Sequence, residues 1–595
     1  MAIQTLTDLF LVAAGRTKAD CLLHKEGGKF VPISTAELVE RVRGLAKALS
    51  DLGVRRGDRV ALMAENGPHW PTVDFAVLAI GAAHVPIYPT LLPEQAAYIV
   101  QDSSAKVLLV QGAERLQGLL EHRAEMASVE HVVAIGCEPP AGARGFVDLI
   151  ESGRGWSQAD LEAECRQAKP QDLATLIYTS GTTGNPKGVM LSHGNIASNI
   201  VNALERLDIE GEYTALSFLP LAHSFERVVD YIYFYRGCTI AYAESVQAVA
   251  QNLGEVKPHV FVSVPRVYEK VLARVQENVA KSSPTKQKIF RWAVGVGKEA
   301  LPWRLRRTSP PGMLGLKMKL ADKLVFAKIR ERLGGRFQMA VSGGAPLGRD
   351  VAEFFWGAGV PIYEGYGLTE TSPVLTVNAH GAVKMGTVGK AIPGVELRIA
   401  EDGEILAKGP NIMQGYFNNP AATAEVIDAQ GWFHTGDIGQ VDGEGFLTIT
   451  DRKKELIVNA YGKNIAPAPI ENLLKSDPLI GQAVVIGDKR PFCVALLVPE
   501  FEGLRAWAKR EGLAAGDDGA LVREPKVRAH FASAVEHANA ELARYEQIRA
   551  FEILPAEFTL ESGELTPTQK VKRRVVFKKY AEAIEGLYRA HEGGG

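Results

Sequence analysis

The stretch Tyr178-Thr179-Ser180-Gly181-Thr182-Thr183-Gly184-Asn185-Pro186-Lys187-Gly188 lies between two apolar runs and combines four small hydroxyls, three glycines and one lysine. Glycines let a backbone turn its amides toward a ligand, hydroxyls donate hydrogen bonds, and a lysine supplies a point charge. The composition is that of a cradle for a polyphosphate, hence for a nucleotide. A Walker A loop would end in Gly-Lys-Ser/Thr and open a helix. Here Pro186 precedes Lys187 and Gly188 follows it, so a different nucleotide-binding architecture is expected. A ligand-free Gly/Thr-rich surface turn is the plain alternative; the length of the segment and the further motifs below argue against it.

Outward from this loop the chain alternates helical and strand patterns. Residues 34–53 place Leu38, Val42, Leu45, Leu49 and Leu52 at helical spacing, and 58–63 read as a short buried strand. The alternation recurs with a helical 93–102 and strands at 105–110, 131–135, 174–178 and 259–264. It predicts an α/β fold whose parallel-rich sheets are covered by helices. At 595 residues the chain exceeds what one core organises. We expect a large, multi-lobed N-terminal domain over 1–450 and a small, mobile α+β C-terminal domain over 451–595. The boundary falls where a strand at 446–450 runs into the charged segment Asp451-Arg452-Lys453-Lys454-Glu455. Beyond it, strands are expected at 482–486 and 494–499, and helices over 524–545.

Apolar content of 46%, charged content of 23% and a formal net charge of −2 are ordinary for a soluble protein and exclude a global bias toward nucleic acid or an anionic membrane. Charge-based function must be local. Residues 281–330 form a basic helical insertion with a Pro310-Pro311-Gly312 break; it reads either as a solvated helix pair or as a contact for an anionic membrane surface or an acyl or CoA donor. Within it, Gly295-Val296-Gly297-Lys298-Glu299-Ala300 mimics a dinucleotide fingerprint, but no strand is expected before it and Leu301-Pro302 is expected to stop any following helix. The five cysteines, Cys21, Cys137, Cys165, Cys238 and Cys493, form no Cys-x-x-Cys pair, which argues for a reducing compartment. The apolar run 9–14 makes neither a signal peptide nor a span, and 75–88 is broken by Gly81, His84 and Pro86. No transmembrane helix is expected.

A second signature, Tyr363-Glu364-Gly365-Tyr366-Gly367-Leu368-Thr369-Glu370, offers close backbone approach at its glycines, a flat face for a base at Tyr366 and a hard oxygen ligand for magnesium at Glu370. Together with the phosphate loop it resembles the AMP-forming acyl-adenylate superfamily of acyl-CoA synthetases, nonribosomal adenylation domains and firefly luciferase, over roughly residues 30 to 580. The resemblance implies a set of roles. Thr179, Ser180, Gly181, Thr182, Thr183, Gly184 and Lys187 would hold the ATP phosphates, with Thr179 also near the metal. Gly344, Ala345 and Pro346, within Ser342-Gly343-Gly344-Ala345-Pro346-Leu347, would form the adenine wall with Glu364, Gly365, Tyr366 and Gly367. Thr369 would contact the α-phosphate and Glu370 would hold magnesium. In Gly431-Trp432-Phe433-His434-Thr435-Gly436-Asp437, Asp437 would accept both ribose hydroxyls, met by Arg452 from the other side. Lys454 would be the interdomain hinge, Gly462 part of a CoA loop, and Lys570, in Gly563-Glu564-Leu565-Thr566-Pro567-Thr568-Gln569-Lys570, the catalytic lysine.

Three segments resemble the long-chain branch: 219–227, 263–268 and 328–335; the resemblance implies that His223, in the first, lines the acyl pocket beside the reacting carboxylate. The implied function is a long-chain fatty acid–CoA ligase using ATP, magnesium and CoA. Delivery of the acyl group to a carrier protein, or a non-catalytic lipid or nucleotide sensor, are the alternatives. The expected setting is cytoplasmic, with peripheral membrane contact as a further hypothesis; the sequence leaves the oligomeric state open.

Overall fold

The computed structural model describes residues 3–179, 185–513, 517–559, 561–566 and 570–592. Ser180, Gly181, Thr182, Thr183 and Gly184 of the phosphate loop lie outside them. The chain folds as an α/β protein with a large N-terminal domain and a smaller C-terminal one.

Two large sheets dominate the N-terminal domain. The eight-stranded sheet runs in the order Gly415–Tyr416, Lys187–Ser192, Leu173–Thr179, Ala83–Ile87, Arg59–Met63, Val107–Gln111, His131–Ile135, Ala143–Gly145. It is parallel from Leu173–Thr179 onward, and its strands read as unbroken apolar runs because helices cover both faces. The nine-stranded sheet is parallel from Ile362–Gly367 through Met339–Ser342, Val260–Ser263, Thr214–Ser217 and Thr239–Tyr242 to Leu22–Glu26, with antiparallel strands at both edges. Antiparallel pairing also explains why the phosphate loop lacks a Walker A ending. Thr179 pairs with Lys187 across two antiparallel strands, so the loop leads into a strand instead of a helix.

The apolar run near residue 75 belongs to the helix His69–Ala79, which buries every residue from Trp70 to Ala79. A helix apolar on all sides belongs in a core. Its one charge, Asp74, accepts hydrogen bonds from Arg227 Nε at 3.1 Å and Tyr231 Oη at 2.5 Å and contacts His84 Nδ1 at 2.7 Å. Arg227 Nη1 donates to Thr175 Oγ1 at 2.7 Å. Burial alone would raise the Asp74 pKa; Arg227 and His84 outweigh it and hold the carboxyl well below the carboxylate range. This network pins the helix Ser224–Arg236 to the strand leading into the phosphate loop.

The basic insertion is helical, over Pro284–Glu299, Leu301–Leu305 and Gly312–Ala321. The expectation that Leu301-Pro302 stops helical structure is corrected. The longer helix ends at Glu299, but Pro302 sits in the first turn of the next, where a missing N–H leaves no intrahelical bond unmade. Beyond Arg452, the strands Ile480–Ile486, Cys493–Pro499 and Ile548–Ile553 form a three-stranded sheet. A single helix, Pro525–Ala540, covers most of 524–545, where several were expected. Buried side chains from Ile457 to Tyr588 form a core of their own.

Candidate active site

Parallel strands end on one edge of a sheet, and ligands of open α/β folds gather there. From the carboxyl edge of the nine-stranded sheet emerge His223, the loop Gly343–Leu347 and the turn carrying Thr369 and Glu370. Gly344 has φ +81°, and it, Ala345 and Pro346 are exposed. A Cβ at Gly367 would lie 1.7 Å from the Pro373 carbonyl oxygen, so only glycine allows the chain to fold back here.

Beneath that loop Glu364 is buried, and among the described residues it forms no ion pair. Desolvation pushes its carboxyl up to about 8, against a hydrogen bond from the Leu347 N–H. At neutral pH the group is mostly protonated and able to donate. Because its folded pKa lies above the ordinary 4.5, its contribution to stability is complete below that value and is lost as pH rises through about 8. Glu364→Gln is therefore expected to flatten the decline of melting temperature between pH 5 and pH 9. The wild-type decline from this group has an upper bound of about 1.4 kcal/mol per pH unit. Parallel wild-type and variant curves in thermal melts would refute this.

Asp437 and Arg452 are Cα partners on adjacent strands of a four-stranded sheet. Arg452 Nε donates to Asp437 Oδ1 at 3.0 Å, and Tyr366 Oη donates to Oδ2 at 2.6 Å. The residues expected at the base and at the ribose are thereby joined.

Glu370 Oε1 accepts from Tyr416 Oη at 2.9 Å, and the Lys187 ammonium lies 4.9 Å from the centre of the Tyr416 ring. Tyr416 reaches this position because Gly415–Tyr416 pairs with the strand beginning at Lys187. It thus links the expected metal ligand to the phosphate loop. Thr369 Oγ1 and Ser224 Oγ are 3.3 Å apart. Among the described residues there is no cluster of three or more His, Cys, Asp or Glu side chains able to hold a metal. One carboxylate with nearby hydroxyls suits magnesium, which completes its shell with phosphate oxygens and water.

Lys570 comes from the C-terminal domain. Its backbone N–H donates to Thr566 Oγ1 at 3.0 Å. The Lys570 residue is exposed at the surface, yet desolvation by the protein atoms around it lowers the ammonium pKa and Arg452 adds to the effect, while Asp437, Glu455 and Glu370 oppose it. His223 is pushed down to about 4 by burial and then by Lys570, so it is neutral near pH 7. Its Nδ1 accepts the Phe225 N–H at 3.1 Å, which leaves its proton on Nε2.

The segment around Lys454 is held from two sides. Lys453 Nζ pairs with Asp402 at 2.6 Å and Glu404 at 2.9 Å in the large domain. Glu455 pairs at 3.5 Å with Arg573, which also pairs with Glu471 at 2.5 Å in the small domain. Lys454 is exposed between them. Gly462 stands apart in an exposed turn with φ +73°. Sequence reading missed Tyr416, and it takes Arg573, with Lys572, Arg574, Lys578 and Lys579, for a solvated helix face able to attract CoA's 3′-phosphate or anionic lipid; the Arg573 side chain is instead largely buried against Glu455 and Glu471, contacts remote in the chain. The only local signal for Tyr416 was a Gly-aromatic pair before the Asn-Asn-Pro turn at 418–420.

An α/β fold with a large N-terminal domain of two parallel-rich sheets and a smaller C-terminal domain is that of the adenylate-forming enzymes. The model of the AMP-binding enzyme family matches residues 12–417, and that of the AMP-binding enzyme C-terminal domain matches 454–592; the chain belongs to this family. Among its relatives, a long-chain-fatty-acid–CoA ligase of Mycobacterium bovis is 42% identical over 567 residues, covering 94% of this chain and 93% of that protein. One from Mycobacterium tuberculosis is 41% identical with the same coverage. The adenylation domain of a carboxylate reductase from Mycobacterium chelonae superposes with a TM-score of 0.76 at 24% identity, covering 98% of this chain and 91% of that one.

Proposed function

We propose that the protein is a long-chain fatty acid–CoA ligase that activates a fatty acid with ATP and passes the acyl group to CoA, releasing AMP and pyrophosphate. The observation that carries this reading is the pairing of the expected ribose and base residues, Asp437 with Arg452 and Tyr366, together with Tyr416 linking the expected metal ligand Glu370 to Lys187, in a chain similar over 94% of its length to proteins named for that activity.

A carboxylate is a poor acyl donor because its leaving group would be oxide. In the first step a carboxylate oxygen attacks the α-phosphorus of ATP; the bond from that phosphorus to the bridging oxygen breaks, and pyrophosphate leaves. Two anions are forced together, so Lys570, Thr369, Lys187 and the hydroxyl loop 179–184 offset charge on the phosphate oxygens. Asp437 and Arg452 orient the ribose, and Tyr366 with Gly344, Ala345 and Pro346 encloses the adenine. Glu370 and Thr179 would hold magnesium, which when bound neutralises phosphate charge. Neutral His223 borders the acyl carboxylate without repelling or neutralising it.

In the second step the C-terminal domain, residues 451–595, turns against the domain 1–450 about Lys454. Lys570 withdraws and the turn at Gly462 approaches CoA. The CoA thiolate attacks the acyl carbonyl carbon and AMP departs with the bonding electrons, without a covalent protein intermediate. Arg573 and Lys453, gripping either side of Lys454, are the contacts such a rotation must exchange.

The test mixes protein, magnesium, ATP and palmitate with and without CoA, and follows AMP, pyrophosphate and palmitoyl-CoA by mass spectrometry. CoA-dependent thioester and AMP are expected. Acyl-AMP that stays bound in the presence of CoA would point to a carrier-protein acceptor. No product with any chain length would overturn the substrate class.

A further inference from the structure

The helix Gly312–Ala321 is apolar on two sides. Met318 and Ala321 face inward and pack with Val296, Phe326 and Ile329 in a small core. Met313, Leu316 and Leu320 point out, 68%, 62% and 50% exposed, and Leu324 continues their stripe. Their spacing of three, four and four residues keeps them on one face. Across an open cleft, Trp292 and Ile289 of the helix Pro284–Glu299 meet Leu320 and Leu324. Five of the twelve exposed large hydrophobic side chains among the described residues, Trp292, Met313, Leu316, Leu320 and Leu324, fall within this insertion. Grouping of that kind marks an interaction surface.

Charge selects the partner. Residues 281–330 contain thirteen Lys or Arg against only Glu299 and Asp322, in a chain of net charge −2. Asp322 is already paired with Arg330. Lys286, Lys288, Arg291, Lys317, Lys319 and Lys323 are exposed, and among the described residues they form no ion pair. A symmetric contact with a second copy would press this cationic face against itself. An anionic surface with an apolar interior matches both features, the lysines meeting headgroups while the aliphatic stripe enters the acyl boundary.

We propose that the outer face of the helices Pro284–Glu299 and Gly312–Ala321 docks the protein on an anionic phospholipid membrane. The inner side of the insertion is firmly seated. Lys298 pairs with Glu353 at 2.8 Å, and a Cβ at Gly357 would lie 3.1 Å from the Gly297 backbone. Docking therefore fixes the orientation of the helix Arg349–Gly357, which follows the exposed loop at Gly344, relative to the membrane.

The test is cosedimentation of the full chain with vesicles of phosphatidylcholine alone or mixed with phosphatidylglycerol. Binding to the mixed vesicles, weakened by salt, is expected. Leu316→Gln/Leu320→Gln and, separately, Lys317→Gln/Lys319→Gln/Lys323→Gln should each weaken partitioning by about tenfold or more, with melting temperature unchanged because these side chains are exposed. Quenching of tryptophan fluorescence by brominated acyl chains should fall in Trp292→Phe. No binding to the mixed vesicles, or binding unaltered in both multiple variants, would overturn the proposal. So would a wild-type dimer that Leu316→Gln/Leu320→Gln converts to monomer, since the face would then be covered by a second copy.

Discussion

Lys570→Ala is expected to slow acyl-adenylate formation by about 10²–10³-fold, the range for removing one preorganised charge or donor from a developing transition state. Its ammonium feels the charges of Arg452, Asp437, Glu455 and Glu370, and in the proposed mechanism it offsets the charge of two anionic reactants. Thioester formation from supplied acyl-adenylate should be almost unaffected, because the lysine leaves the cleft before that step. ATP–pyrophosphate exchange and single-turnover thioesterification separate the two. Equal loss in both would sink the two-state mechanism. The lowered Lys570 pKa adds a pH signature: adenylation should fail on the alkaline side before a free lysine would deprotonate, and that limb should vanish in the variant. His223, freed of the nearby positive charge, should titrate higher in Lys570→Ala, a shift readable by NMR.

Arg227→Leu is expected to destabilise the large domain by about 3–5 kcal/mol, the range for removing one partner of a buried ion pair. Side chains of Arg227 and Asp74 are 3% and 4% exposed, so the orphaned carboxylate can recruit little water. Loss of the guanidinium also leaves Thr175 Oγ1 without that donor. Asp74→Asn combined with Arg227→Leu should recover part of the loss, since the uncompensated charge is gone. Denaturant unfolding measures both; a single-variant loss below about 1 kcal/mol would show that His84 and Tyr231 suffice to hold Asp74. The network joins the strand entering the phosphate loop to the helix headed by His223. The KM for ATP and that for the fatty acid should therefore rise together in any Arg227→Leu protein that folds.

Much of the architecture was legible in the chain because it rests on local periodicity. The alternating helix and strand patterns of residues 34–135 appear as the helix Thr35–Asp51, the strand Arg59–Met63 and their successors. A buried parallel strand needs a continuous apolar run and a covering helix an apolar stripe, and both are local in sequence. Antiparallel departures were not legible, because the direction of a strand depends on where the chain returns. The pairing of Thr179 with Lys187 and of Gly415–Tyr416 with Met190 and Val189 belongs to this class.

The residue chemistry of the candidate site is likewise a property of the sequence: a hydroxyl- and glycine-rich loop, a carboxylate after Gly-Leu-Thr, and a lysine near the C-terminal end. Tertiary structure alone decided which of them meet. It set Tyr416 between Glu370 and Lys187, brought Lys570 under the electrostatic influence of Arg452 and Asp437, and tied Lys453 and Glu455 to opposite domains around Lys454. It also turned one apolar stripe of the basic insertion inward and left another exposed. Periodicity and composition act over a few neighbouring residues. Burial, electrostatic shifts and contacts between segments distant in the chain exist only once the chain has folded back on itself.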